Sequence, residues 1–208
     1  MQVLTPNPKF AQLASNEQIE RTAAALRANN IETVIVANGA DAKQAVLDRL
    51  PEGAQVHSGA SKTLDDIGIT AELEQSTRHE WLRSRLYKMD RQTQGNEIRK
   101  LGGTPDVMLG SVHALTEDGS LVIASASGSQ IGPMASGAGK VILVVGSHKI
   151  VADLDQALQR IREYSFPLED ARAQVAYGRG SKINKILILS GDFPGRVTVV
   201  LVNEALGY

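Results

Sequence analysis

The chain contains no cysteine. Disulfides, thiolate zinc sites, cysteine-held iron–sulfur clusters and a cysteine nucleophile are therefore excluded within it. Neither sign of charge predominates, since 22 Lys+Arg face 23 Asp+Glu over 208 residues and the pI is near 6.4. The concentrated basic surface that nucleic acid or an anionic membrane requires is not expected, and neither is proposed as a partner. No apolar run approaches the ~18 residues of a membrane-spanning helix, and the opening MQVLTPNPKF lacks the basic-then-apolar pattern of a secretory leader. A soluble, cytoplasmic protein is expected.

What is present suits a globular core: 42% hydrophobic and 22% charged residues. The length predicts an N-terminal tail over 1–14 and a single domain over 15–208, with no internal repeat and no linker. Ser15 and Gln18 form a capping box ahead of Ile19, Ala23 and Leu26 at helical spacing. Ile31 to Ala37 is rich in β-branched residues, and Ala42 to Leu50 then reads as a helix stopped by Pro51. Ala54 to Ser58 predicts a strand and Lys62 to Ile67 a helical turn. Leu82, Leu86 and Met89 place a long amphipathic helix over Ala71 to Gln92. Residues 78 to 100 hold seven Arg/Lys and three Asp/Glu, which interleave as on a solvated face. The next block runs through Asp106 to Ser111, Val112 to Gly119, Leu121 to Ala124 and Lys140 to Gly146, with three strands expected in it. Asp153 caps a helix, Pro167 opens another, and Ile186–Leu189 with Arg196–Val202 flank a Gly191 to Gly195 turn whose chemistry predicts an antiparallel C-terminal pair. Buried runs such as VIVA and VILVV alternating with helices predict a mostly parallel sheet covered on both faces, an α/β fold of three layers.

Several catalytic signatures fail on spacing. Ser136-Gly-Ala-Gly-Lys140 lacks the first glycine and the final hydroxyl of a phosphate loop, because Met134 and Val141 stand there. Gly178-Arg-Gly-Ser-Lys182 lacks the third glycine of a dinucleotide fingerprint. His79-Glu80 is followed by Arg83 where a zinc protease needs its second histidine, and the four histidines are scattered, so no metal site is assigned. There is no G-x-S-x-G elbow.

Position supplies what motifs do not. Ligands of open α/β sheets settle beyond the carboxyl ends of the strands, where helix-start amides attract anions. Three small-residue loops suit that rim. In Gly59-Ala-Ser61-Lys62-Thr63, Gly59 permits close approach while Ser61, Lys62 and Thr63 add donors. Between His113 and Gly119, Glu117 is placed to project a carboxylate over the sheet edge. Ser125-Ala-Ser127-Gly-Ser129-Gln130 suits an oxyanion cradle. One crevice holding both Ser61 and Glu117 is the expectation.

The run Leu115 to Gln130 resembles the lactate utilization (LUD) domain family. Val144 to Asp155, Pro167 to Arg172, Gly195 to Val202, Leu206-Gly-Tyr208 and the upstream Gly59 to Gly68 are similar to the same family in the same order. The resemblance implies a three-layer α/β/α domain related to sugar-phosphate isomerases and CoA transferases. It also implies a role in oxidising lactate to pyruvate beside iron–sulfur partner proteins. Many relatives carry Asn, Asp, Asn and Arg where this chain has His113, Ser125, Ser129 and Gln130, and some carry a cysteine cluster near Gly178 to Ile183, so no metal, cluster or cofactor is carried over. The expected role is an accessory component that binds a small anionic metabolite, with a homodimer as the default assembly. Two alternatives stand beside it: acyl or CoA transfer with Glu117 as nucleophile, since Glu117-Asp-Gly119 looks like the Glu-x-Gly turn of CoA transferases, and a structural partner of an iron–sulfur protein.

Overall fold

Six parallel strands form the central sheet of the computed structural model, which describes residues 4–208. They are β1 (Glu32–Val36), β2 (Gln55–Ser58), β3 (Glu80–Trp81), β4 (Val107–Gly110), β7 (Lys140–Gly146) and β10 (Val197–Val202), in the order β1-β10-β7-β4-β2-β3. A second sheet holds β5 (Ala114–Thr116), β6 (Leu121–Ser125), β8 (Ile150–Val151) and β9 (Lys185–Leu189), in the order β8-β5-β6-β9. The parallel sheet explains its own sequence: every residue of β10 and all but Lys140 of β7 is buried, because both faces are covered.

One face packs against α1 (Asn16–Ala28) and the second sheet, through Ile19, Leu26, Met108, Leu121 and Val199. The other packs against α2 (Gly39–Leu47), α3 (Lys62–Asp66) and α4 (Ile69–Gln75), through Val46, Leu64, Leu73 and Val200. This is a three-layer α/β/α arrangement. The capping box is formed as the spacing predicts, with the Gln18 amide donating to Ser15 Oγ at 3.2 Å and the Ser15 amide to Gln18 Oε1 at 3.0 Å. Residues 1–3 of the expected tail lie outside the described residues. Phe10 is buried beneath α7 (Leu154–Arg160), and the Asn7 amide donates to the Glu163 carbonyl at 2.8 Å.

Two expectations are corrected. The helix over Ala71 to Gln92 is instead α4, then β3, then α5 (Leu82–Lys88), followed by α6 (Gly95–Gly103). Trp81 pairs in parallel register with Val56 and is buried, so extended backbone at 80–81 gains a strand partner and a core contact that a continuous helix would forfeit. The antiparallel C-terminal pair does not form. β9 pairs antiparallel with β6, while β10 lies parallel between β1 and β7. β10, almost wholly apolar, needs two covered faces, whereas half-exposed β9 suits a sheet edge, so the Gly191 to Gly195 turn passes the chain between sheets.

Arg160 ends α7, and the helix continues through a widened turn, Ile161–Ser165, into α8 (Phe166–Tyr177). Pro167 lacks an amide and would clash with the carbonyl four residues back, a cause of such widening.

Candidate functional site

All six parallel strands point the same way, so their carboxyl ends share one rim. Past β4 comes Ser111, past β7 come Ser147, His148 and Lys149, past β10 comes the segment Asn203–Tyr208, and past β2 comes the loop that enters α3. These segments converge on Lys149, which is 1% exposed. Its Nζ donates to Thr63 Oγ1 at 2.9 Å and to Ser111 Oγ at 3.0 Å. Burial, reinforced by the nearby Arg160 charge and opposed by Asp66, holds this amine well below the usual lysine range. The Thr63 hydroxyl in turn donates to the Leu206 carbonyl at 3.3 Å, and the Gly207 amide donates to Asp66 Oδ2 at 2.9 Å. Gly207 has a left-handed backbone, φ +65°, and a Cβ there would collide with Thr63 Oγ1, so only glycine lets the C-terminal segment lie this close.

Near this amine stand three further polar groups. His113 Nδ1 accepts the Ala124 amide at 3.1 Å, which fixes the proton on Nε2. Burial and the neighbouring Lys149 and Arg160 push its pKa down to about 3. His148 is 2% exposed, and neither ring nitrogen has a hydrogen-bond partner among the described residues. Burial, Lys149 and Arg160 push it down to about 2. Glu169 takes two bonds of 2.7 Å from Arg172 and one from the Tyr208 hydroxyl. Its burial works to raise its pKa, but those donors prevail and hold it below the usual carboxylate value. The C-terminal rim is thus rich in buried nitrogen donors, and its Glu169 carboxylate is already claimed by Arg172.

Of the residues expected to bind ligand, Thr63 and His113 belong to this group. Gly59 lies at its margin against the Gln130 side chain, which would meet a Cβ at 2.9 Å. Ser61 caps α3, accepting the Leu64 amide at 3.4 Å, and Lys62 turns outward to pair with Asp66. Ser127 and Ser129 are exposed and bond to one another at 3.1 Å. Glu117 is placed apart from Ser61: it takes 3.0 Å bonds from Gln18 Nε2 and Arg21 Nη2 on α1. The same turn continues toward the amino ends of the strands, because Asn29, just ahead of β1, donates to the Asp118 carbonyl at 3.0 Å. Gln18 and Arg21 hold the Glu117 carboxyl below its ordinary value. Since Arg21 is largely exposed, Glu117→Gln is expected to cost less than about 1 kcal/mol in urea unfolding. A loss above about 2 kcal/mol would show a structural burden that this geometry does not give it.

The reading by loops passed over Lys149, Ser111, His148, Arg160 and Glu169. The available signal was Ser147-His148-Lys149, three polar residues directly beyond the buried apolar run Val141 to Gly146. Among the described residues no group of three or more His, Asp or Glu side chains is placed to hold a metal ion, and no helix is long and apolar enough to cross a membrane. A depression of about 420 Å³ lies at the opposite rim, lined by Pro51, Asp106, Gly139 and Lys140, and contains none of these side chains.

The LUD domain family matches residues 19–202. A solved structure of a DUF162 family protein from Deinococcus radiodurans superposes with a TM-score of 0.58 at 13% identity, covering 92% of this chain and 100% of that one. At that identity the likeness concerns the fold. No curated protein matches the chain.

Proposed function

Because the chain belongs to the LUD domain family, we propose that it serves lactate utilization as an accessory component that binds a small anionic metabolite at the carboxyl rim. The observation that supports this reading is Lys149, a buried amine whose hydrogen-bond partners are two hydroxyls rather than a carboxylate. An anion arriving there supplies the counter-charge that the fold withholds, and Arg160 and the His113 Nε2 proton add to the same field. A carboxylate or phosphate oxygen is the chemical match for such donors. Glu117, the nucleophile of the acyl-transfer reading, has its oxygens engaged by Gln18 and Arg21 on α1, so anion binding is the reading carried forward. An iron–sulfur protein remains the expected partner class, to be tested by pull-down from lactate-grown cells.

Calorimetry with lactate, pyruvate, a phosphorylated sugar and a CoA ester tests the proposal. At least one of them should bind, and Lys149→Met should weaken it by about 30-fold or more, the cost of removing one partner of a desolvated charged contact. The variant should remain folded, since methionine fills a similar volume without a buried charge. Absence of binding for all four, or equal binding by the variant, overturns the assignment.

A further inference from the structure

A second set of buried polar atoms lies where α5 and α6 cover the face of β2 opposite to Val56. His57 is 8% exposed, and its Nδ1 has no hydrogen-bond partner among the described residues. Arg83 Nη1 is also buried without a partner, whereas Arg85, two residues on, is paired with Glu80 at 2.9 Å. Arg83 and Leu86 are three residues apart and share a face of α5. Leu86 and the His57 ring converge on Gly102 of α6: a Cβ built there would stand 3.4 Å from Leu86 Cδ1 and 3.6 Å from His57 Nε2. The Arg83 guanidinium lies over the Tyr87 ring, 5.5 Å from its centroid, and its charge adds to burial in pushing His57 down to about 4.

An unpaired buried guanidinium edge beside an imidazole costs free energy unless an acceptor arrives. Two surroundings favour an anion as that acceptor. Residues 78 to 100 carry seven Arg/Lys against three Asp/Glu, a local positive field over the cleft. α6 has no buried residue, so lifting it from β2 disrupts little packing.

We propose that the cleft between β2, α5 and α6 is a second binding site, taking the phosphate group of a small metabolite between the His57 imidazole and the Arg83 guanidinium. The fork of Arg83 engages two phosphate oxygens, and the His57 ring takes the tautomer with its proton on Nε2 to donate to a third. The site uses none of the residues around Lys149 and stands or falls separately from it.

Inorganic phosphate is the probe, titrated into the full chain and into Lys149→Met, which silences the rim group, with calorimetry and ¹⁵N signals of the His57 ring as readouts. Phosphate should bind both proteins and shift the His57 nitrogens. Arg83→Met should weaken binding by about tenfold or more, while its melting temperature without phosphate stays equal or rises, because an unpaired charge has been removed. Gly102→Ala supplies a variant that is safe for folding, since alanine is favoured over glycine inside a helix. Its methyl should occupy the gap before Nε2 and weaken phosphate severalfold. The proposal fails if phosphate leaves His57 unmoved, if Arg83→Met and Gly102→Ala bind as well as the parent, if acetate at equal ionic strength reproduces the effect, or if Lys149→Met alone abolishes binding.

Discussion

Arg160→Ala should destabilise the protein by about 3–5 kcal/mol, the range for stripping the partner from several buried polar groups at once. Arg160 is fully buried, with its guanidinium stacked 4.9 Å from the Tyr164 ring. It donates to the His113 carbonyl, to Ser165 Oγ at 2.9 Å, and to the His148 and Phe10 carbonyls at 3.4 Å each. One side chain thus ties the N-terminal segment, the approach to β5, the residue beside Lys149 and the widened turn after α7. Burial lowers its pKa only to about 10, so it remains a cation at neutral pH. Alanine would leave those acceptors dry and unpaired. For a chain of this size each kcal/mol moves the melting temperature by about 2–4 °C, so a fall on the order of 10 °C is expected. Arg160→Lys should rescue little, because an ammonium cannot span four acceptors arranged for a planar fork. Urea midpoints at unchanged slope provide the measurement, and a loss below about 1 kcal/mol would show that this clamp is unimportant.

Stability should also fall steeply as pH drops from 6.5 toward 4. His148, His113 and His57 all have folded-state pKa values below the ordinary 6.5, at about 2, 3 and 4. Below 6.5 the unfolded chain binds protons that the folded chain refuses, so the unfolded state gains. The contribution is complete above the unfolded value and is lost as pH falls toward the folded ones. Each such histidine removes about 1.4 kcal/mol per pH unit within that window, or roughly 2 kcal/mol by pH 5. His148→Leu should flatten this limb by one histidine's share, since neither ring nitrogen has a partner to lose. Urea unfolding at half-unit steps from pH 5 to 8 reads the slope. A profile level between pH 5 and 7 would contradict the buried, neutral state of these rings.

Much of the scaffold was legible because it rests on local rules. The Ser15–Gln18 box, the β-branched run of β1 and the unbroken apolar run of β7 each express a short-range preference that tertiary packing reinforced. Thr63 and His113 fall beside Lys149 because the segments past the carboxyl ends of parallel strands gather at one rim. The helical period around Leu82 and Leu86 was genuine, but it belonged to the short α5, and its extension back to Ala71 yielded to the pairing of Trp81 with Val56. Likewise, the Gly191 to Gly195 turn announced a change of direction without saying which strand would receive the chain, and that choice depended on β1, about 165 residues upstream.

The sequence by itself determined the alternation of helix and buried strand, because capping and periodicity act over a few residues, and the order of its family-like segments pointed to the family that the match over residues 19–202 shows. Only the tertiary structure decided that Lys149 and Arg160 are interior, that Glu117 is bound to α1 rather than beside Ser61, and that β9 and β10 part into different sheets. A single lysine or arginine carries no pattern that foretells its burial. That property arises when segments remote along the chain close around it and remove its water, and only then does its charge acquire chemical consequence.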